Sequence, residues 1–310
     1  MIVLALSVTA LVFYSCGGGG GGGSSSTPAG TSVTTSGIMT KGSVDINGMK
    51  FQIPAGASIT VDDSPDLTEN ELQDGMYVHV RGSLSGDGVN GTASVVEAED
   101  IVQGQVESVT PPGTFVVLKQ TSVVDAQTVY AGGYAEFANI QLNQYVKVHG
   151  VRDADGVIHA SRVQLLTGSP DSEIKGIVSN KSGSTFNIWA LIVDMTNAQI
   201  EPDGETISNG DPVEVEGAYN SGTLTATKVE REDLEDSEFE VEGEDISVYG
   251  YISGFTSPSA TFMVNDVTVQ VTGATMYING TVANLANNVK VEAEGLMQAG
   301  VLVAQKIEFK

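Results

Sequence analysis

Apolar and polar residues alternate along most of this chain, and the alternation is organised around one short motif that occurs four times. Two apolar residues alternate with two polar ones and end on a glycine at positions 78–82, 146–150, 213–217 and 291–295. A branched aliphatic residue stands ten positions before each glycine, and an Ala-x-x-(Val/Ile) pattern follows it by nine to eleven. These landmarks are Leu72, Ile140, Ile207 and Leu285, and the pairs Ala93/Val96, Ala160/Val163, Ala226/Val229 and Ala304/Ile307. Because the offsets hold in all four copies, the pattern indicates an internal repeat.

The period of two predicts β-strands with one buried face. Asn47 and Gly48 separate two alternating runs and predict a hairpin turn, and the segment around Asn265 repeats this arrangement in the fourth copy. A single helical turn near residues 67–72 is the most helix that the pattern allows. Five or six short antiparallel strands in about 65 residues leave exposed edges unless the sheet closes. We therefore expect an all-β chain of four tandem small antiparallel β-barrels, similar to oligonucleotide/oligosaccharide-binding (OB) barrels.

The spacing of the motif glycines predicts the boundaries of the four copies. We expect barrels at residues 37–100, 101–167, 173–232 and 244–310, with very short joints between the first three. Residues 233–243 belong to a run from Glu230 to Asp245 that holds ten acidic residues and one arginine. Such a run is typically a solvated, self-repelling linker, so it predicts a hinge that divides the array three plus one.

The only cysteine, Cys16, lies between an apolar stretch and a run of glycine and serine. Residues 1–15 are too short to span a bilayer comfortably but fit a signal peptide, and residues 16–36 predict a disordered, flexible tether. A stray buried thiol is the alternative interpretation of Cys16. We expect Cys16 to be acylated, which would anchor the protein in the cell envelope, on the periplasmic or surface face of the outer membrane.

The charge balance narrows the classes of partner. The chain has 14 basic and 39 acidic residues and a net charge of −25. This charge repels nucleic acid and anionic lipid, so we expect no nucleic acid partner and membrane contact only through the lipid anchor. Weak binding of divalent cations fits the flexible carboxylates around residues 62–74 and 230–245.

No set of residues indicates a reaction centre, a cofactor or a defined metal site. His79, His149 and His159 are expected to lie solvated on strand faces, because a structural zinc site needs about four suitable ligands. The Asp-Ala-Asp-Gly segment at residues 153–156 is similar to part of a calcium loop but lacks the remaining oxygen ligands and the terminal bidentate glutamate, so a hairpin tip is the default explanation. We therefore predict no catalytic residue and no metal ligand.

Three aromatic residues stand out as candidates for ligand binding. Trp189 replaces the Asn-Gly turn in the third copy, and Tyr249 and Tyr251 point to one face of their strand. Such a pair suits stacking on a glycan. Covering the end of the barrel itself is the role that we expect first for these rings, ahead of glycan stacking.

A resemblance to a known family covers essentially the whole chain. The first copy resembles the opening repeat of Gram-negative lipoproteins that carry tandem copies of domain of unknown function 5666. The residues that carry the resemblance are Gly42, Ser43, Val44, Ile46, Asn47, Gly48, Phe51, Leu72, Gly75, Met76, Val78, Val80 and Gly82. The resemblance implies a small β-barrel module at the cell envelope and implies no activity.

Two classes of function follow. The first is a non-enzymatic structural or interaction module, in which four similar surfaces make weak multivalent contacts with an envelope protein or a glycan. The alternative is a protein that binds an oligosaccharide or a cation, by analogy with OB barrels. An enzyme ranks third, with no residue to nominate.

Overall fold

The computed structural model describes residues 30–40, 44–62, 64–232, 243–265 and 267–310, and these residues form 23 β-strands. Copy 1 holds β1 (Thr31–Ile38), β2 (Val44–Ile46), β3 (Met49–Gln52), β4 (Ser58–Val61), β5 (Tyr77–Leu84) and β6 (Asn90–Glu99). Copy 2 holds β7 (Val102–Thr110), β8 (Thr114–Val117), β9 (Gln120–Val123), β10 (Val129–Ala131), β11 (Tyr145–Arg152) and β12 (Ile158–Leu165).

Copy 3 holds β13 (Ser172–Ser182), β14 (Thr185–Ile188), β15 (Leu191–Asp194), β16 (Gln199–Glu201), β17 (Pro212–Asn220) and β18 (Thr223–Arg231). Copy 4 holds β19 (Asp245–Ser253), β20 (Phe262–Val264), β21 (Val267–Ile278), β22 (Lys290–Gln298) and β23 (Val301–Phe309). Two short 3-10 helices, Phe137–Asn139 and Val282–Asn284, precede the landmark aliphatics of copies 2 and 4. No helix among the described residues is long and apolar enough to cross a membrane.

Each copy winds as one coil of the chain. In copy 2, β7 pairs with β8 and β8 with β9, both antiparallel, while β9 and β10 pair in parallel with β12. β11 then pairs with both β12 and β7, which returns the coil to its first strand. Copies 1, 3 and 4 repeat the antiparallel pair of motif strand and closing strand, and their closing strands likewise pair in parallel with earlier strands of the copy.

The motif glycine is required because the motif strand bulges against the closing strand at this position. The register of the two strands shifts next to Gly82, Gly150, Gly217 and Gly295 alike. A Cβ atom at any of these glycines would lie 2.1–2.3 Å from a backbone carbonyl oxygen of the closing strand. Only glycine allows this close approach of two backbones.

The landmark residues are the core of the protein. All of the branched aliphatics and Ala-x-x-(Val/Ile) residues of the four copies are buried. Among the described residues they form three apolar clusters: one in copy 1, one in copy 4, and one that runs continuously through copies 2 and 3. The repeat that was visible in the sequence is therefore a repeat of core positions.

The prediction of four separate small β-barrels is wrong. β1 of copy 1 pairs in parallel with β19 of copy 4, and β7 of copy 2 pairs with β13 of copy 3. The first sheet therefore has 11 strands from copies 1 and 4, and the second sheet has 12 strands from copies 2 and 3. The chain is a β-solenoid of stacked coils. The physical reason is that separate barrels would leave backbone groups of β1, β7, β13 and β19 unpaired, whereas pairing between copies satisfies them.

The first copy also begins earlier than the predicted boundary at residue 37. β1 starts at Thr31, and its central residues are buried between β5 and β19. Residues 31–36 therefore belong to the first sheet, although their Thr- and Ser-rich composition is that of a tether.

Candidate functional site

A first cleft of about 650 Å³ lies where the coils of copies 1, 2 and 4 meet. The two sheets therefore both contribute walls to it. The charged and aromatic residues that line it are Asp74 of copy 1, Asp125 and His159 of copy 2, and Tyr249, Tyr251, Lys290, Glu292 and Lys310 of copy 4. Its size falls in the range of small-molecule sites in proteins.

The aromatic wall of the first cleft comes from the tyrosine pair of β19. Tyr249 and Tyr251 share one strand face, as alternation requires, and both are half-buried. Lys290 on the neighbouring β22 places its Nζ 5.9 Å from the centroid of each ring. Burial raises the pKa of Tyr251 to about 12, so its hydroxyl stays protonated at neutral pH. The pair thus offers two ring faces and a cation at one side of the cleft.

Tyr251 is held by a chain of side chains that begins in copy 2. His159 lies with Nε2 2.9 Å from Asp153 Oδ2 and with Nδ1 3.1 Å from the Tyr251 hydroxyl. The two rings are stacked with centroids 4.3 Å apart. Because both ring nitrogens of His159 have a partner, the orientation of Tyr251 is fixed by contacts between copies 2 and 4.

The strand beside the tyrosine pair also carries a buried acid, because Glu292 of β22 is paired in register with Tyr249 of β19. Glu292 of β22 is 1% exposed, and burial raises its pKa. Its carboxylate lies 2.7 Å from Lys310 Nζ and accepts a hydrogen bond from Ser247. A buried, charge-paired carboxylate next to aromatic rings is suited to binding hydroxyl groups in a defined orientation.

A second cleft of about 420 Å³ lies on the other side of Asp153 and is lined by residues of all four copies. Trp189 forms part of its wall, is 44% exposed and adopts a positive φ of 51°. The ring packs on Gly156, where a Cβ would lie 2.5 Å from it, and the guanidinium of Arg152 lies 5.9 Å from the ring centroid. Trp189 therefore joins copies 2 and 3 and only partly faces the cleft.

The three histidines are less exposed than the sequence predicted. His149 is fully buried, its Nδ1 lies 2.7 Å from the carbonyl of Glu99, and its Nε2 has no hydrogen-bond partner among the described residues. Burial lowers the pKa of His149 and of His79 to about 4 in each case.

The described part of the chain holds no group of three or more residues placed to bind a metal ion.

The acidic candidates are occupied by partners within the protein. The segment at residues 153–156 is a hairpin-tip turn in which Asp153 Oδ1 accepts hydrogen bonds from the amides of Asp155 and Val157. Asp155 accepts a hydrogen bond from Asn288 of copy 4, and Asp62 lies 2.5 Å from Lys147 Nζ. Cys16 and most of the acidic linker, at 233–242, lie outside the described residues.

The sequence analysis missed the polar residues inside the motif. The first of these positions holds His79, Lys147, Glu214 and Glu292 in the four copies, and they lie between coils rather than in solvent. Period two correctly places them outside their own coil. The period of two cannot show that a neighbouring coil covers these outward-facing side chains. The only sign of this in the sequence was that the charge at these positions differs from copy to copy.

The fold and these clefts define a repetitive all-β protein whose ligand-sized cavities lie between repeats. Comparison with known families gives matches to the domain of unknown function DUF5666 at residues 32–97, 103–164, 175–230 and 249–308. The chain belongs to this family, with four tandem copies. A search of the curated proteins found no match.

Among solved structures, the chain is similar to one described as drosophila Unr CSD456. The identity is 13%, the match covers 68% of this chain and 97% of that chain, and the TM-score is 0.19. A likeness this weak carries no argument about fold or ligand.

Proposed function

We propose that this protein is a non-enzymatic binding protein of the cell envelope, anchored by acylated Cys16, whose first cleft binds a segment of an oligosaccharide. The observation that carries the proposal is the pairing of Tyr249 and Tyr251 with buried Glu292 in one cleft between coils. The flat apolar faces of sugar rings stack on aromatic side chains, and their hydroxyls bind carboxylates and lysines. The apolar stretch before Cys16 is the basis for the location.

The geometry favours one composite site over four equal weak surfaces. A multivalent array needs similar free faces on every copy, but the polar motif positions are enclosed between coils and differ in charge from copy to copy. The first cleft, in contrast, needs copies 1, 2 and 4 together. The orientation of Tyr251 also depends on His159 of another copy.

The test is binding of the full chain to a glycan array, followed by calorimetric titration with each oligosaccharide that binds. Tyr249→Ala removes one ring face, and we expect it to weaken binding on the order of tenfold, because an aromatic contact contributes about 1 kcal/mol or more. Tyr219→Ala is the matched control, since this half-buried tyrosine of copy 3 lines neither cleft. Binding by no glycan, or an equal loss in both variants, would contradict the proposal.

A further inference from the structure

The two sheets meet through polar contacts. Each of the three apolar clusters found among the described residues lies within one sheet, and none spans both. The contacts between the sheets include hydrogen bonds from Ser161 to the carbonyl of Gly75 (2.6 Å), from Arg162 to the carbonyl of Asp74 (2.9 Å), and from the amide of Ala154 to Asn288 (2.8 Å). The attachment of one sheet to the other therefore depends largely on charges and hydrogen bonds, with the stacked rings of His159 and Tyr251 as a further contact.

The centre of this contact is a group of ionisable side chains that we call the carboxyl junction. Lys147 Nζ lies 2.5 Å from Asp62 and 3.1 Å from Asp100 of the first sheet. Lys175 Nζ lies 3.2 Å from Glu99 of the first sheet. The carboxyl junction consists of these two lysines and six acids: Asp62, Glu99, Asp100, Glu173, Glu214 and Glu232.

The lysines are too few to neutralise these acids. Lys175 is also contacted by Glu214 at 2.6 Å and by Glu232 at 3.0 Å, so three carboxylates share one ammonium group. Glu173, beside Asp100 and Glu214, makes no ion pair with the described residues. Asp100 and Glu214 side chains are 1% and 3% exposed, so water screens their charges weakly.

Other ionisable groups surround the junction, among them Arg152, whose Nη2 lies 3.5 Å from the carbonyl of Lys175. His79 of β5 and His149 of β11 face the junction, and burial keeps both neutral, with pKa values near 4. Arg162 of β12 is held near Asp74, and Glu230 of β18 adds a further acid near Glu232. Full ionisation would therefore place six negative charges against two lysines and the nearby Arg152 in a partly buried contact.

We propose that the carboxyl junction is a proton-dependent clasp, which holds the two sheets together while some of its acids are protonated and releases them as the pH rises. Protons on Glu173 and on the buried Asp100 reduce the repulsion that full ionisation would create. Both clefts have walls from both sheets, so release would change their shape. The clasp is a property of the fold and does not depend on which ligand the first cleft binds.

The pKa values of two acids in the carboxyl junction support release at high pH rather than at low pH. Burial raises the pKa of Asp100 to about 7 and that of Glu173 to about 9. An acid whose pKa is higher in the folded than in the unfolded protein favours the folded arrangement. This contribution is fully present below the unfolded-state pKa and is lost as the pH rises through the folded-state pKa. The window is therefore about pH 4 to 7 for Asp100 and about pH 4.5 to 9 for Glu173.

The experiment follows the radius of gyration of the full chain by small-angle X-ray scattering between pH 6 and pH 10. Glu173→Gln makes this acid permanently neutral, and Asp203→Asn is the control, since Asp203 is an exposed acid in the turn after β16, outside the junction. Acrylamide quenching of Trp189, the only tryptophan, reports the opening of the second cleft in parallel.

We expect the native protein and Asp203→Asn to expand reversibly, with a midpoint between about pH 7 and pH 9, and Trp189 to become easier to quench. Glu173→Gln should expand less or at higher pH. A high salt concentration at pH 9.5 should close the native protein again, because exposed charges are then screened within about 3 Å. An unchanged radius of the native protein, or a Glu173→Gln variant that expands as the native protein does, would overturn the proposal.

Discussion

Replacing Gly217 by alanine would place a methyl group against the backbone of the neighbouring strand. The new Cβ would lie 2.2 Å from the carbonyl oxygen of Thr225 and 2.9 Å from the Cα of Ala226. Gly217 does not have a positive φ, so alanine is compatible with its backbone conformation. The substitution therefore tests only the close approach of β17 and β18 at the bulge.

The expected cost follows from these distances. Carbon atoms pack best at about 3.5–4.0 Å, so the two strands must separate by roughly 1 Å at this point. Overpacking of this kind costs about 1–3 kcal/mol, and disturbing one ladder hydrogen bond adds about 1 kcal/mol. A loss of about 2–4 kcal/mol corresponds to a decrease in Tm of roughly 4–16 °C for a unit the size of two coils.

The assay is thermal unfolding followed by circular dichroism, with urea unfolding as a second measurement. Gly273→Ala is the matched control, because a Cβ at this exposed glycine of β21 meets no atom within 4 Å. We expect the control to change stability by less than about 0.5 kcal/mol. If Gly217→Ala is as stable as the control, the explanation of the repeated glycine is wrong.

Three further predictions concern anchoring, ions and pH. Cys16→Ser should release the protein from the membrane fraction on fractionation, and unchanged partitioning would refute acylation. Sodium chloride should raise the Tm gradually by screening the net charge of −25, with calcium somewhat more effective at equal ionic strength; a saturating micromolar calcium shift would instead reveal a tight site. Because the pKa values of His79 and His149 are lowered to about 4, their neutral rings stabilise the fold above about pH 6.5, and this contribution should be lost as the pH falls to about 4. In urea titrations, the free energy of unfolding of His149→Gln should fall less over this pH range than that of the native protein.

The sequence predicted the buried positions and turns within one coil, because the period of two and the fixed offsets reflect residues that are close together in the chain. Val80, Leu72 and Val96 were recognisable as core residues from their spacing, and all three are buried. The Asn47-Gly48 turn was predicted correctly, and both residues have positive φ.

The contacts between coils were not predictable from the same pattern. Alternation says which face of a strand is apolar but not which edge pairs with which, so the parallel pairing of β1 with β19 left no local sign. Tyr251 was recognised as a candidate, whereas its support by His159 and Asp153 depends on residues about 90 positions away. The sequence analysis did not single out Lys147 or Glu214, because their partners become neighbours only in the folded protein.

Disulfide trapping between copies 1 and 4 tests the central claim that the four copies form one stacked body. Ser32 and Glu244 flank the parallel pairing of β1 with β19, and their side chains are 2.9 Å apart although they are 212 positions apart in the chain. Adjacent strands lie about 4.8 Å apart, which a disulfide can bridge. In a Cys16→Ser background, Ser32→Cys with Glu244→Cys should form an intramolecular disulfide, detected by mass spectrometry.

The same disulfide should stabilise the protein by about 2–4 kcal/mol. Ser58→Cys with Glu244→Cys, a pair separated by β6, β5 and β1, should stay reduced. Free thiols in both variants would contradict the stacked arrangement and leave the first copy unpaired from the fourth.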